Sequence, residues 1–243
     1  MFVRRVGTTI GGVTEFGAAD AAWAAAHVVV VGAATVGLVR VADVVASAAA
    51  LLDGLSDAER NRYADLAPRA RRDRFLVGRT FVRQVAARLF DVSPSSLSVD
   101  AQCPDCGGPH GRPVLVGGPA GVSISIAYSA DIVAVAVSAD HVVGIDVEIA
   151  GSRAEELSAL AVGVTASSGA DALRTWTRVE AALKADGRGL RVDHSAVEFD
   201  RVDDQLIAAV PGDSGIFSRF AITDVDPAGL ASPAMVSLAV RFP

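Results

Sequence analysis

Three observations predict a mixed α+β protein. Helical spacing of apolar residues runs over 69–90, and a second helical stretch, over 171–186, is closed by two glycines. Short runs rich in valine and isoleucine, bounded by Gly, Pro, Asp or Ser, read as strands on either side of each helix. Each half of the chain therefore supplies a long helix and several strands, with a break near residue 140. The expected units are an N-terminal subdomain over 1–140 and a C-terminal subdomain over 141–243.

The first twenty or so residues read as peripheral, and residues 28–31 and 36–41 as β-like runs. Leu51, Leu52 and Leu55 carry a helical signal, and Ser56-Asp57-Ala58-Glu59 has the spacing of a capping box. In the helix expected over 69–90, Phe75, Leu76, Phe81, Val82, Val85 and Leu89 form the face to be buried. Arg69, Arg71, Arg72, Arg74, Arg79 and Arg83 form the other face.

Residues 91–121 are rich in Pro, Gly, Ser and Cys and read as loop with short extended pieces. Strands are expected over 122–126 and 132–138, joined tightly at Ser129-Ala130-Asp131, and over 142–149. Residues 151–170 are weakly patterned. The helix over 171–186 ends at Gly187 and Gly189. Further strands are expected over 196–199, 205–210, 217–222 and 235–240.

Composition narrows the function classes. Of 243 residues, 51% are apolar but only 5% aromatic, so small aliphatic side chains must fill the core. The net charge of −6 argues against non-specific binding to nucleic acid or to an anionic membrane. The most membrane-like stretch, 28–52, is interrupted by Arg40 and Asp43 and punctuated by Gly32 and Gly37, so it reads as buried strand and helix. Two cysteines do not make a secreted disulfide framework, and a cytoplasmic protein is expected.

The chemistry concentrates in three places. Gly144-Ile145-Asp146-Val147-Glu148 puts two carboxylates on one face of a strand. Adjacent carboxylates repel unless a cation lies between them, and hard oxygen donors suit Mg²⁺. Glu180 and Lys184 lie four apart on one helix face, so an acid and an amine project together; the plain alternative is a surface ion pair. Gly111-Arg112-Pro113 offers a turn of close backbone approach with a guanidinium for phosphate or a nucleobase.

The order of these pieces is what carries meaning. Gly111-Arg112-Pro113 comes first, then a strand ending in Ala127-Tyr128-Ser129, then Gly144-Ile145-Asp146-Val147-Glu148. Trp176-Thr177, Glu180-Ala181, Lys184-Ala185, Gly187 and Gly189-Leu190 follow. The series resembles the Sfp-type 4′-phosphopantetheinyl transferases over most of the chain past residue 50. The arginine-rich segment and the loop from Cys103 to Pro113 also look like bacterial members.

The resemblance implies a pseudo-two-fold pair of similar α+β subdomains with the active site between them. It implies transfer of the phosphopantetheine arm of coenzyme A to a serine of an acyl or peptidyl carrier protein, with release of 3′,5′-adenosine bisphosphate, by a monomer. Asp146, Glu148 and Glu180 would hold Mg²⁺ against the pyrophosphate. Glu180 would also take the serine proton, and Lys184 would stabilise the leaving group. Arg69, Arg74 and Arg112, with Gly111 and Pro113 shaping the turn, and Tyr128, Ser129, Asp146 and Lys184 would contact coenzyme A. The arginine face would also meet acidic partners.

Three departures from the family pattern stand out. Tyr128 replaces a usual histidine and brings no positive charge near neutral pH. Val179 replaces a usual lysine beside Glu180. Residues 161–168 replace an expected helix of Phe-Ser-x-x-Glu type that borders the carrier-docking surface. The alternative they motivate is a coenzyme-A- or carrier-binding homologue without turnover.

Other motifs are weaker. Cys103-x-x-Cys106 with His110 has zinc-like spacing, but no second cysteine pair completes a closed site; a redox dithiol or a plain loop are the other readings, and the plain loop is expected. The stretch at Gly32–Gly37 lacks G-x-G-x-x-G spacing, no Walker A motif is present, and Ser129 is outside a G-x-S-x-G context.

Overall fold

The computed structural model describes residues 18–149, 169–212, 215–227, 230 and 234–242. Most of the N-terminal segment expected to be peripheral, and the segment 161–168, lie outside the described residues. The chain is a mixed α+β protein, with three sheets among the described residues.

Among the described residues, the 3-10 turn Ala18–Trp23 leads into the hairpin β1 (His27–Val31) and β2 (Ala34–Arg40). Four helices follow: α1 (Val41–Val44), α2 (Ala48–Asp53), α3 (Asp57–Asp65) and α4 (Arg69–Phe90). The loop expected over 91–121 contains the small β3 (Ser98–Asp100) and β4 (Val114–Val116) pair. Then come β5 (Ser123–Ser129), β6 (Ile132–Ser138) and β7 (Val143–Ile149). The C-terminal part holds α5 (Gly169–Asp186), β8 (Glu198–Val202), β9 (Gln205–Pro211), β10 (Phe217–Val225) and β11 (Ala234–Arg241). No helix among the described residues is long and apolar enough to cross a membrane.

Two antiparallel sheets dominate, ordered β1-β2-β6-β5 and β7-β11-β10-β9-β8. Alternation along each strand sorts side chains to two faces and produces four layers. Val133, Val135 and Val137 of β6 pack with α4 residues Val77, Phe81, Val82 and Val85. Ile132, Ala134 and Ala136, on the opposite face, meet Val143, Ile145 and Val147 of β7 and Val236 and Leu238 of β11. The far face of the second sheet carries α5, where Val179, Ala182 and Leu183 pack with Ala208, Val210, Phe220 and Ile222.

Local signals explain most of the elements. Ser56 and Glu59 form the expected capping box at α3: the Glu59 N–H donates to Ser56 Oγ at 3.3 Å and the Ser56 N–H to Glu59 Oε2 at 2.9 Å. Asp91 closes α4 in the left-handed region, φ 53°. Several strands shift from their expected places; β10, for one, runs to Val225 rather than stopping at 222. β5 runs to Ser129 rather than stopping at 126, so the polar tip belongs to the strand. β8 starts at Glu198, because Asp193 caps the short turn His194–Ala196 by accepting the Ser195 N–H at 2.9 Å.

The two faces of α4 also differ from expectation. Leu89 is 42% exposed, and Phe90 packs against the core instead. Arg79 and Arg83 leave the basic face and are buried. Arg83 donates to Gly54 O at 2.5 Å and lies 3.4 Å from Glu59, while Arg79 donates to Val99 O at 3.3 Å and stacks over Phe75. Both guanidiniums tie α4 to backbone that no local pattern reveals. Burial draws the Arg83 guanidinium below its ordinary pKa, opposed by Glu59.

Candidate functional site

The second sheet and α5 meet unusually closely at Gly144. A Cβ there would lie 2.1 Å from Ala181 O and 2.4 Å from Ala185 N, so only glycine lets the helix backbone rest on β7. Two and four residues farther along the same strand face, Asp146 and Glu148 come beneath α5. Asp146 is 5% exposed. Lys184 Nζ donates to Asp146 Oδ1 at 2.5 Å, joining the two predicted motifs in one contact.

The other carboxylates have partners too. Ser129, at the tip of β5, donates to Glu148 Oε2 at 2.8 Å and accepts the Ile149 N–H at 3.3 Å. His194 Nε2 lies 2.7 Å from Glu180 Oε1, and its ring stacks on Trp176 with centroids 4.9 Å apart. Sequence reasoning missed His194. Its partner is fourteen positions upstream, and the only local sign is the Asp193-capped turn that aims it back at the helix.

Asp146 is the most perturbed acid. Its carboxyl is raised to about 7: burial pushes it up most, Lys184 pulls against that, and Glu180 and Glu148 add to the rise. Its Oδ2 is buried with no hydrogen-bond partner among the described residues. An orphaned acceptor beside two other carboxylates fits a hard divalent cation. The three carboxylates do not all come within 4.8 Å of one another, since each is drawn to its own partner.

Coenzyme A candidates from the first half sit at both ends of the β5–β7 contact. Arg74 donates to Ala130 O at 3.3 Å, beside Ser129. Arg69 is exposed and 3.5 Å from Asp73. Tyr128 is 38% exposed, yet its hydroxyl end packs over Gly78, where a Cβ would lie 2.4 Å from the oxygen. Desolvation pushes the phenol up to about 12, against the pull of Arg79 and Arg74, so Tyr128 stays a neutral donor.

Arg112 stands at the other end. It donates to Ala185 O at 3.1 Å, Ser123 Oγ at 3.3 Å and Val143 O at 3.4 Å. The guanidinium thereby caps the C-terminal end of α5, one residue from Lys184. Ser129 lies six steps along β5 from Ser123, so the anchoring points of Arg112 and Arg74 are roughly 20 Å apart. Gly111 and Pro113 fix the turn: a Cβ on Gly111 would lie 2.2 Å from Gln102 O. Val179 is 4% exposed within the core under α5. A lysine there would have to leave apolar packing to reach the carboxylates.

Two features lie apart. The Cys103 and Cys106 sulfurs and a His110 ring nitrogen lie within 4.8 Å of one another. The Cys106 and Asp105 N–H groups hold the Cys103 thiol below its ordinary pKa. An open groove on the sheet face opposite α5 is lined by Glu198, Asp200, Phe217 and Arg219 and includes none of the residues above. Compared with protein-family models and with curated proteins, the chain matches none.

Proposed function

We propose that the protein is a Mg²⁺-dependent 4′-phosphopantetheinyl transferase of the Sfp type, acting on a carrier-protein serine with coenzyme A. One observation carries the reading: Glu180 and Lys184 of α5 lie against Asp146 and Glu148 of β7, with Lys184 bonded to Asp146. Acids and an amine so gathered, with one carboxylate oxygen unpaired in the interior, suit a pyrophosphate and its counterion. The four layers, with a helix outside each sheet, are compatible with two related halves, and the site borders both through Ser129 and Glu148.

In this reading Asp146, Glu148 and Glu180 hold Mg²⁺, which when bound neutralises phosphate charge and polarises the phosphorus. Glu180 takes the proton of the attacking serine hydroxyl as its oxygen bonds to the phosphorus bearing pantetheine. The bond from that phosphorus to the bridging oxygen breaks, and 3′,5′-adenosine bisphosphate departs with the bridging oxygen and the electron pair. Lys184 meets the charge that develops on it. His194 orients Glu180, and Arg74 and Tyr128 supply donors from the opposite side.

Incubation with a panel of apo-carrier proteins, coenzyme A and Mg²⁺ should add one phosphopantetheine mass to a carrier. Asp146→Ala and Glu180→Gln should each lower the rate at least a hundredfold. Full activity in both variants would remove the mechanism. Tyr128 favours a second reading, a homologue that binds coenzyme A or carrier without transfer; binding without mass gain across the panel would select it.

A further inference from the structure

We propose that Cys103, Cys106 and His110 form a site for a single zinc-type divalent ion, held by three protein ligands with water in the fourth position. The donor atoms are already assembled. Both sulfurs and a ring nitrogen lie within 4.8 Å of one another, and Cys106 Sγ is 3.0 Å from His110 Nε2. Ordinary zinc bond lengths in a tetrahedron set the sulfur–nitrogen edge at about 3.6 Å and the sulfur–sulfur edge at about 3.8 Å. The ring and the Cys106 sulfur therefore need to part by only a fraction of an ångström.

The backbone is folded for that cluster. The Cys103 N–H donates to Gly108 O and the Gly107 N–H to Cys103 O, each at 2.8 Å. The Gly111 N–H donates to Ala101 O at 2.7 Å and closes the loop at its base. Gly107 takes a φ of +71°, which favours glycine. A Cβ on Gly108 would lie 3.0 Å from the His110 ring and 3.2 Å from the Cys106 sulfur, so glycine makes room where the ligands converge. The Gly108 N–H also points at Cys106 Sγ, 3.4 Å away, the kind of outer contact that steadies a thiolate ligand.

Ligand chemistry selects the ion. Two thiolates and an imidazole suit zinc and reject magnesium or calcium, whose preferred donors are oxygens. Two thiolate charges balance the ion, and Cys106 and His110 are exposed, so a path of entry exists. The site is distinct from the carboxylates of β7 and α5 and does not depend on the transferase reading. Its place suggests what it is for. Arg112 follows His110 by two residues and donates to both α5 and β7, while Asp105 lies 3.2 Å from Arg191 beyond α5. Zinc would pin a loop that spans from one sheet to the other and fix the Arg112 fork.

Metal analysis and Co²⁺ titration of the full chain under reducing conditions test this. One zinc per chain is expected, with a tetrahedral Co²⁺ spectrum that includes sulfur-to-cobalt charge transfer. Cys106→Ser should abolish most of that band, and exposed His110→Ala should weaken binding on the order of tenfold or more. Circular dichroism of each variant checks that the fold persists. Chelation should lower the thermal midpoint of the parent protein but not of Cys106→Ser. No charge-transfer band in the reduced protein, or Co²⁺ affinity unchanged in both variants, would overturn the site.

Discussion

Asp146 meets Lys184 with one carboxylate oxygen and, among the described residues, has no polar partner for the other. Burial favours the neutral acid in the folded protein, so its pKa rises from 3.8 to about 7. The folded protein then binds more protons than the unfolded chain between those values, and stability declines as pH climbs through that window. Asp146→Asn should remove this part of the decline, a difference on the order of a few kcal/mol by the top of the window. Urea unfolding of parent and variant at several pH values between 4 and 8 reads it; parallel curves would show that Asp146 does not titrate there. At this scale the shared strand face of Asp146 and Glu148 was readable, because residues i and i+2 on a strand project together. The sequence was silent on His194 and on the buried Arg79 and Arg83, whose partners lie far along the chain.

Among the elements, the β7–α5 contact governs the site. Gly144 lets two backbones touch, and that approach sets Lys184 over Asp146. Gly144→Ala should cost about 3 kcal/mol of stability and move α5 off the strand. Thermal unfolding with a structure of the variant would check this; an unchanged midpoint would mean the helix stands farther from β7. Both elements were legible, α5 from its spacing and closing glycines, β7 from its valine and isoleucine alternation. The contact was not, since a glycine's role in close approach depends on which backbone lies above it. The same limit applies to Val179, read as a missing cation and found in the core beneath the helix.

The molecule as a whole is held together by a seam. Hydroxyls of Ser123, Ser125 and Ser129 on β5 accept the N–H groups of Val143, Ile145 and Ile149 along the open edge of β7. The series skips Ala127, whose counterpart in the same spacing is Val147. Ala127→Ser should supply the absent acceptor and raise stability by about 1 kcal/mol. Denaturant melts with hydrogen exchange at Val147 would test it; slower exchange is expected, and a loss of stability would show that the hydroxyl finds no room. The α+β class was readable, but not this seam, which exists only once two sheets are laid together. Its end at Ser129 reaches the acids of the site. Each acid there has a companion supplied by the chain: Lys184, Ser129 or His194. A newly made molecule thus has no crowd of bare like charges to close around and can wait, folded, for an ion. If the proposed transferase reading holds, loading would be an exchange of companions, in which an arriving cation would set a lysine and a histidine loose beside it for an incoming anion.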